Sequence, residues 1–153
     1  MEKRNVLFVM SSLRNGGAER SLVNLLQLLD YDRYNVDLLL FQNEGLFLKQ
    51  VPKAVNIISN CNKLYTLYDN NKAEALKHPY LSAIHMIGTF ISRKKTNSVA
   101  KSRQYRWEHF YKKIVPELTK EYDVAIAYMQ REQTYFLVDK VKAAKKIAWV
   151  HNE

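Results

Sequence analysis

An apolar run, Val6 to Met10, gives way across one glycine-bearing turn to leucines repeating at a different period, and this switch constrains the fold more than anything else in the chain. Five consecutive apolar residues fit a strand buried on both faces. Leu22, Leu25, Leu26 and Leu29 fall at i, i+3, i+4 and i+7, the spacing of one buried helical face. The segment therefore reads as a strand over residues 5–11, a turn, and a helix over residues 18–30. The turn, Ser11-Ser12-Leu13-Arg14-Asn15-Gly16-Gly17, places both glycines at the helix N-terminus. The first backbone N–H groups there have no intrahelical partner and the helix dipole is positive, so a phosphate or carboxylate has a place to dock. The plain alternative is glycine used only to reach positive φ in a βα turn, and the local pattern leaves both open.

The same grammar continues along the chain. Tyr34 to Phe41 reads as a second strand, residues 45–51 as a short helix stopped by Pro52, and residues 54–58 as a third strand with Ser59-Asn60 as its polar exit. Strands alternating with helical pieces favour a parallel sheet, because antiparallel hairpins need only short turns. Residues 61–119 are mostly helical. Leu81, Ile84, Ile87, Gly88 and Ile91 share one face while Ala83, Met86 and Phe90 occupy another, so this helix is expected to be buried on more than one side. Arg93 to Arg103 reads as a basic loop or helix end, and Trp107, Tyr111, Ile114 and Leu118 form a further stripe that Pro116 ends or kinks. Strand four over residues 123–129, a helix over 132–143 and strand five over 146–150 complete the pattern. His151 would then directly follow the last strand, on the same rim as the glycine turn, where open α/β sheets bind ligands. No helix follows strand five, so Glu153 reads as a cut in a longer polypeptide.

At 153 residues, with 47% hydrophobic residues and only three prolines and four glycines, the chain suits one compact domain and not a disordered segment. Cys61 is the sole cysteine, which excludes an internal disulfide and makes a reducing cytoplasm the default expectation. The N-terminal apolar run is too short for a signal peptide or a membrane span. The net charge of +9 is uneven: residues 1–60 hold seven Lys/Arg and six Asp/Glu, residues 61–113 eleven and three, residues 114–153 six and six. The basic character therefore belongs to a middle segment set into a nearly neutral scaffold.

Other chemistries lack their residues. A dinucleotide site would need G-x-G-x-x-G where the turn offers Asn-Gly-Gly-Ala-Glu-Arg, and no Gly-Lys-Ser/Thr supplies a phosphate-binding loop. His78, His85, His109 and His151 lack zinc-site spacing, so no metal is expected. Within the basic segment, Lys94, Lys95, Lys101, Arg103 and Arg106 interleave with Tyr105 and Trp107, which suits a surface meeting anionic lipid headgroups or a lipid-diphosphate acceptor. The plain alternative is a solvated basic face over ordinary core helices.

Three segments in order carry a resemblance. Val6 to Met10 with Gly16-Gly17-Ala18-Glu19-Arg20, the strand entry Glu121 to Ala127, and Lys145 to Glu153 resemble the N-terminal half of family-4 retaining glycosyltransferases of the GT-B fold. The first and last look like the versions in bacterial enzymes of capsular and other cell-surface polysaccharide synthesis. The likeness spans most of the chain, and it implies a doubly wound, Rossmann-like, mainly parallel sheet of about five or more strands over residues 1–153, with a basic helical insertion. It implies a cytoplasmic enzyme, peripheral at the inner membrane face, that moves a hexosyl group from a nucleotide sugar to a saccharide or lipid-linked acceptor without metal or other cofactor. Asn15, Gly16 and Gly17 would lie against the donor diphosphate or beside the acceptor, and His151 would orient the donor sugar. The family often has Asp after this histidine; here Asn152 stands there, and no acid or base role passes to it. A second, C-terminal domain would hold the donor nucleotide and supply glutamates spaced E-x7-E, a spacing absent from this sequence. The isolated chain is accordingly expected not to transfer sugar. The competing reading is a non-catalytic basic α/β module binding membrane or nucleic acid; under the glycosyltransferase reading no nucleic acid partner is expected.

Overall fold

The computed structural model describes residues 2–58, 67 and 76–150. In chain order the elements are β1 (Arg4–Met10), α1 (Gly17–Leu28), β2 (Tyr34–Leu40), a 3-10 turn (Leu48–Gln50), β3 (Asn56–Ile58), α2 (Pro79–Lys95), α3 (Val99–Arg106), a π turn (Trp107–Tyr111), β4 (Glu121–Ala127), α4 (Glu132–Lys140) and β5 (Lys142–Ala148). The chain divides into two compact units, Met1–Asn60 with Glu117–Glu153, and Cys61–Pro116.

The first unit is α/β. Among the described residues its five strands form one sheet in the order β3-β2-β1-β4-β5, every pair parallel. This is the Rossmann-like arrangement that the strand-helix alternation predicts. β1 and β2 occupy the sheet interior and each buries its last five residues on both faces, which is why both read as continuous apolar runs. Val6, Phe8 and Met10 of β1, with Val36, Leu38 and Leu40 of β2, join Leu22, Val23 and Leu26 of α1 in one core. Full burial of each such α1 side chain contributes roughly 1.5–3 kcal/mol, so the helix is held by its apolar face more than by intrinsic propensity.

A polar cluster sits inside this unit. Asp37 of β2 is 3% exposed and accepts hydrogen bonds from Asn56 Nδ2 (3.0 Å), Lys120 Nζ (2.9 Å) and the Tyr122 hydroxyl (2.7 Å). Three donors satisfy the carboxylate that burial would otherwise penalise.

The sheet edges differ from the interior. β3 has only three residues, and β5 is exposed along nearly its whole length. Exposure corrects the expected boundaries: β5 begins at Lys142, not Lys146, and α4 stops at Lys140, short of residue 143. Lys142-Ala143-Ala144-Lys145-Lys146 has no apolar alternation because the edge strand has no buried face to mark it. The short helix expected over residues 45–51 is a single 3-10 turn, Leu48–Gln50.

The second unit is helical among its described residues. α2 opens with Pro79 at its first turn, where the missing N–H costs nothing. Gly88 lets α2 approach the following segment: a β-carbon there would lie 3.3 Å from the Phe110 ring. The buried Ser92 and Ser102 hydroxyls bond at 2.8 Å, and Arg106 Nη1 donates to them at 3.3 and 3.1 Å. Trp107 and Tyr111 are 1% and 0% exposed, and the π turn is closed by a bond from Lys112 N to Trp107 O. The basic stretch from Arg93 to Arg103, expected as a loop or helix end, is the end of α2, a short break and the start of a further helix, α3. The expectation that α2 is buried on more than one side also fails: Leu81 and Gly88 are buried, while Met86, Ile87 and Phe90 stand 71%, 54% and 63% exposed.

Candidate functional site

Strand order locates the site. β1 leads to β2 and β3 on one side of the sheet and neighbours β4 on the other, so the order reverses between β1 and β4. In open α/β sheets ligands bind beyond the carboxyl ends of the strands at that reversal. The loops there are residues 11–16 after β1 and residues 128–131 after β4.

The first loop is held from below and from one side. Ser12 and Leu13 are buried, and Leu13 belongs to the α1 core. The segment after β2 zips onto it: Phe41 N donates to Met10 O, Gln42 N to Ser11 O, Leu13 N to Glu44 O and Phe47 N to Leu13 O, at 2.7–3.1 Å. Arg14 Nη2 bonds Glu44 Oε1 at 2.6 Å and Gln42 Oε1 at 3.2 Å, reinforcing the same junction. Gly45 makes it possible. Its φ is +131°, and a β-carbon would overlap the Leu13 carbonyl. This glycine escaped sequence reading because its constraint comes from a loop some thirty residues away in the chain; nothing adjacent to it signals the contact.

The two glycines read as ligand contacts have different environments. Gly16 is the N-cap of α1, with extended φ and ψ of −86° and 164° and no side-chain capping bond. The Glu19 carboxylate folds back against it, where a β-carbon would collide with a carboxylate oxygen. The helix thus brings its own first-turn acid to the positive end of its dipole. Gly17, the first helical residue, is exposed, and a β-carbon there would meet nothing within 4 Å. The fold does not require glycine at that position. Asn15 is exposed beside it.

The second loop contributes features the sequence did not signal. Arg131 has φ +88°, uncommon for a residue with a β-carbon, at the start of α4. Gln133, 5% exposed, bridges the two loops in the amide orientation that satisfies both ends: its oxygen accepts from Ser11 N at 3.3 Å and its nitrogen donates to Gln130 O at 3.1 Å. Tyr128 N donates to Val9 O, the Tyr128 hydroxyl lies 2.9 Å from Ser21 Oγ of α1, and Trp149 stacks at a tilt on the Tyr128 ring, 5.0 Å between centroids. The arrangement is a pair of cross-braced loops around exposed backbone at a helix N-terminus. Chemically it offers the backbone N–H groups at the start of α1 as donors to an anion. His151, Asn152 and the chain end at Glu153 lie outside the described residues, so the expected partner across the rim is not described.

The basic residues divide. Lys94, Lys95 and Lys101 are exposed and Arg103 is half-buried. Arg106 is half-buried and donates to Ser92 and Ser102, and Trp107 is a core residue that leaves the surface on which the sequence placed it. The interleaving of aromatics with basic residues misled because a stripe at helical spacing looks the same whether it faces solvent or core.

Fold and site together define a Rossmann-like α/β protein with its candidate site at the β1/β4 reversal. No family model, curated protein or solved structure is detectably similar to the chain.

Proposed function

We infer that the chain is the acceptor-side domain of a retaining, nucleotide-sugar-dependent glycosyltransferase, and that Asn15, Gly16 and Gly17 meet a sugar diphosphate at the α1 N-terminus. The observation that carries the reading is Gly17: a glycine the fold does not need, exposed at a helix N-terminus beside the strand-order reversal. The resemblance supplies the reaction, transfer of a hexosyl group to a saccharide or lipid-linked acceptor at the cytoplasmic membrane face, with a second domain for the donor nucleotide and His151 orienting the sugar. On this reading the chain alone turns over no nucleotide sugar.

Glu19 makes the proposal testable in both directions, because its carboxylate occupies the end of the dipole that a diphosphate would use. Titrating the isotope-labelled protein with uridine diphosphate is expected to shift the backbone amide resonances of Gly16, Gly17 and Ala18. Glu19→Gln strengthens the binding by removing a like charge, and Gly17→Val abolishes it without lowering the melting temperature by more than about 2–4 °C, the shift that 1 kcal/mol gives in a chain of this length. Shifts that spare these amides, or a Glu19→Gln variant that binds no better, refute the assignment.

A further inference from the structure

We propose that α2 is an interfacial helix that lays its exposed apolar face into an anionic lipid surface. Tyr80, Met86, Ile87 and Phe90 are 70%, 71%, 54% and 63% exposed. At 100° per residue they fall, with Ala83 and Lys94, within one sector of about 120° along the helix. The sequence gives this face the composition of a buried one, and nothing among the described residues covers it.

Charge selects the occupant. Between Glu74 and Glu108 the sequence has seven Lys/Arg and no Asp or Glu. Three of them, Arg93, Lys94 and Lys95, form the last turn of α2, and the Lys94 ammonium sits 4.5 Å above the Phe90 ring, at the end of the apolar sector. Just past the helix, Lys95, Thr96, Asn97, Ser98 and Lys101 line an open hollow of about 350 Å³ before α3, two lysines among its five residues. A second copy of the chain would bring the same positive sector against itself. Nucleic acid would satisfy the charge but leave Met86 and Ile87 in water, since aliphatic side chains offer no stacking face. An anionic bilayer answers both halves, taking apolar side chains at the acyl boundary and lysines at the headgroups. The inference does not rest on the sugar-transfer reading; it stands on α2 and the break after it.

The test is co-sedimentation of the full chain with vesicles of phosphatidylcholine, with and without phosphatidylglycerol, at low and high salt. Binding is expected only to the anionic vesicles, weakening as salt rises. The Met86→Ser/Phe90→Ser pair and the Lys94→Glu/Lys95→Glu pair should each reduce it about tenfold or more, with circular dichroism unchanged because all four side chains are exposed. Four results overturn the proposal. The chain ignores anionic vesicles at low salt; the serine pair binds as well as the parent; the chain elutes as a dimer that the serine pair dissociates, which makes a second copy the occupant; or the chain binds a single-stranded oligonucleotide in preference to the vesicles.

Discussion

Asp37 shows how one residue ties the fold to solution conditions. Burial alone pushes its carboxyl up, but hydrogen bonds from Asn56, Lys120 and Tyr122, with the Lys120 ammonium charge, outweigh that and hold it below the ordinary carboxylate value. The Tyr122 phenol moves the opposite way, raised by burial and by its bond to Asp37. A carboxyl whose folded pKa is depressed adds stability that is fully present above the unfolded pKa, about 4, and is lost as pH falls through the folded value. Urea midpoints should therefore hold steady from neutrality and drop below about pH 4, whereas Asp37→Asn should start about 2 kcal/mol less stable and lose less on acidification. Equal pH dependence in both proteins would remove Asp37 from that role. Legibility at this scale follows range: Gly16 and Gly17 were visible because their signal is adjacent in the chain, whereas Asp37, Gly45 and Gln133 owe their importance to partners far from them in sequence.

Elements were legible in proportion to how completely they are buried. β1, β2 and α1 are found within one or two residues of where their apolar patterns put them, since each faces a core that imposes its period. α3 and the N-terminal part of β5 were missed because neither offers such a period: α3 buries only Ser102, and β5 lies almost wholly in solvent. The π turn is the instructive intermediate. Its spacing predicts a stripe and its basic neighbours predict a surface for Trp107, whereas the structure makes Trp107 core. Trp107→Ala is expected to destabilise the protein by about 3–5 kcal/mol, measured by urea denaturation, as loss of a fully buried indole does. A change within about 0.5 kcal/mol would be that of a surface position and would return Trp107 to the basic face.

For the whole molecule, what the chain could become is set partly by the two ends of its sheet. An open sheet presents unpaired backbone N–H and C=O groups at its outermost strands, a template on which another chain can add. One end is β3, too short to template much. The other is the seven-residue β5, which carries Lys142, Lys145 and Lys146, with Ile147, Trp149 and Val150 exposed beyond them. Replacing Lys142 and Lys145 by threonine keeps a strand-compatible residue at each place. The variant should scatter light and bind thioflavin at concentrations where the parent stays clear; an unchanged scattering profile would relieve the lysines of this duty. The residues that hid β5 from sequence reading thus act as its guards. Ammonium groups spaced along an exposed edge oppose the amyloid-like stacking of identical chains.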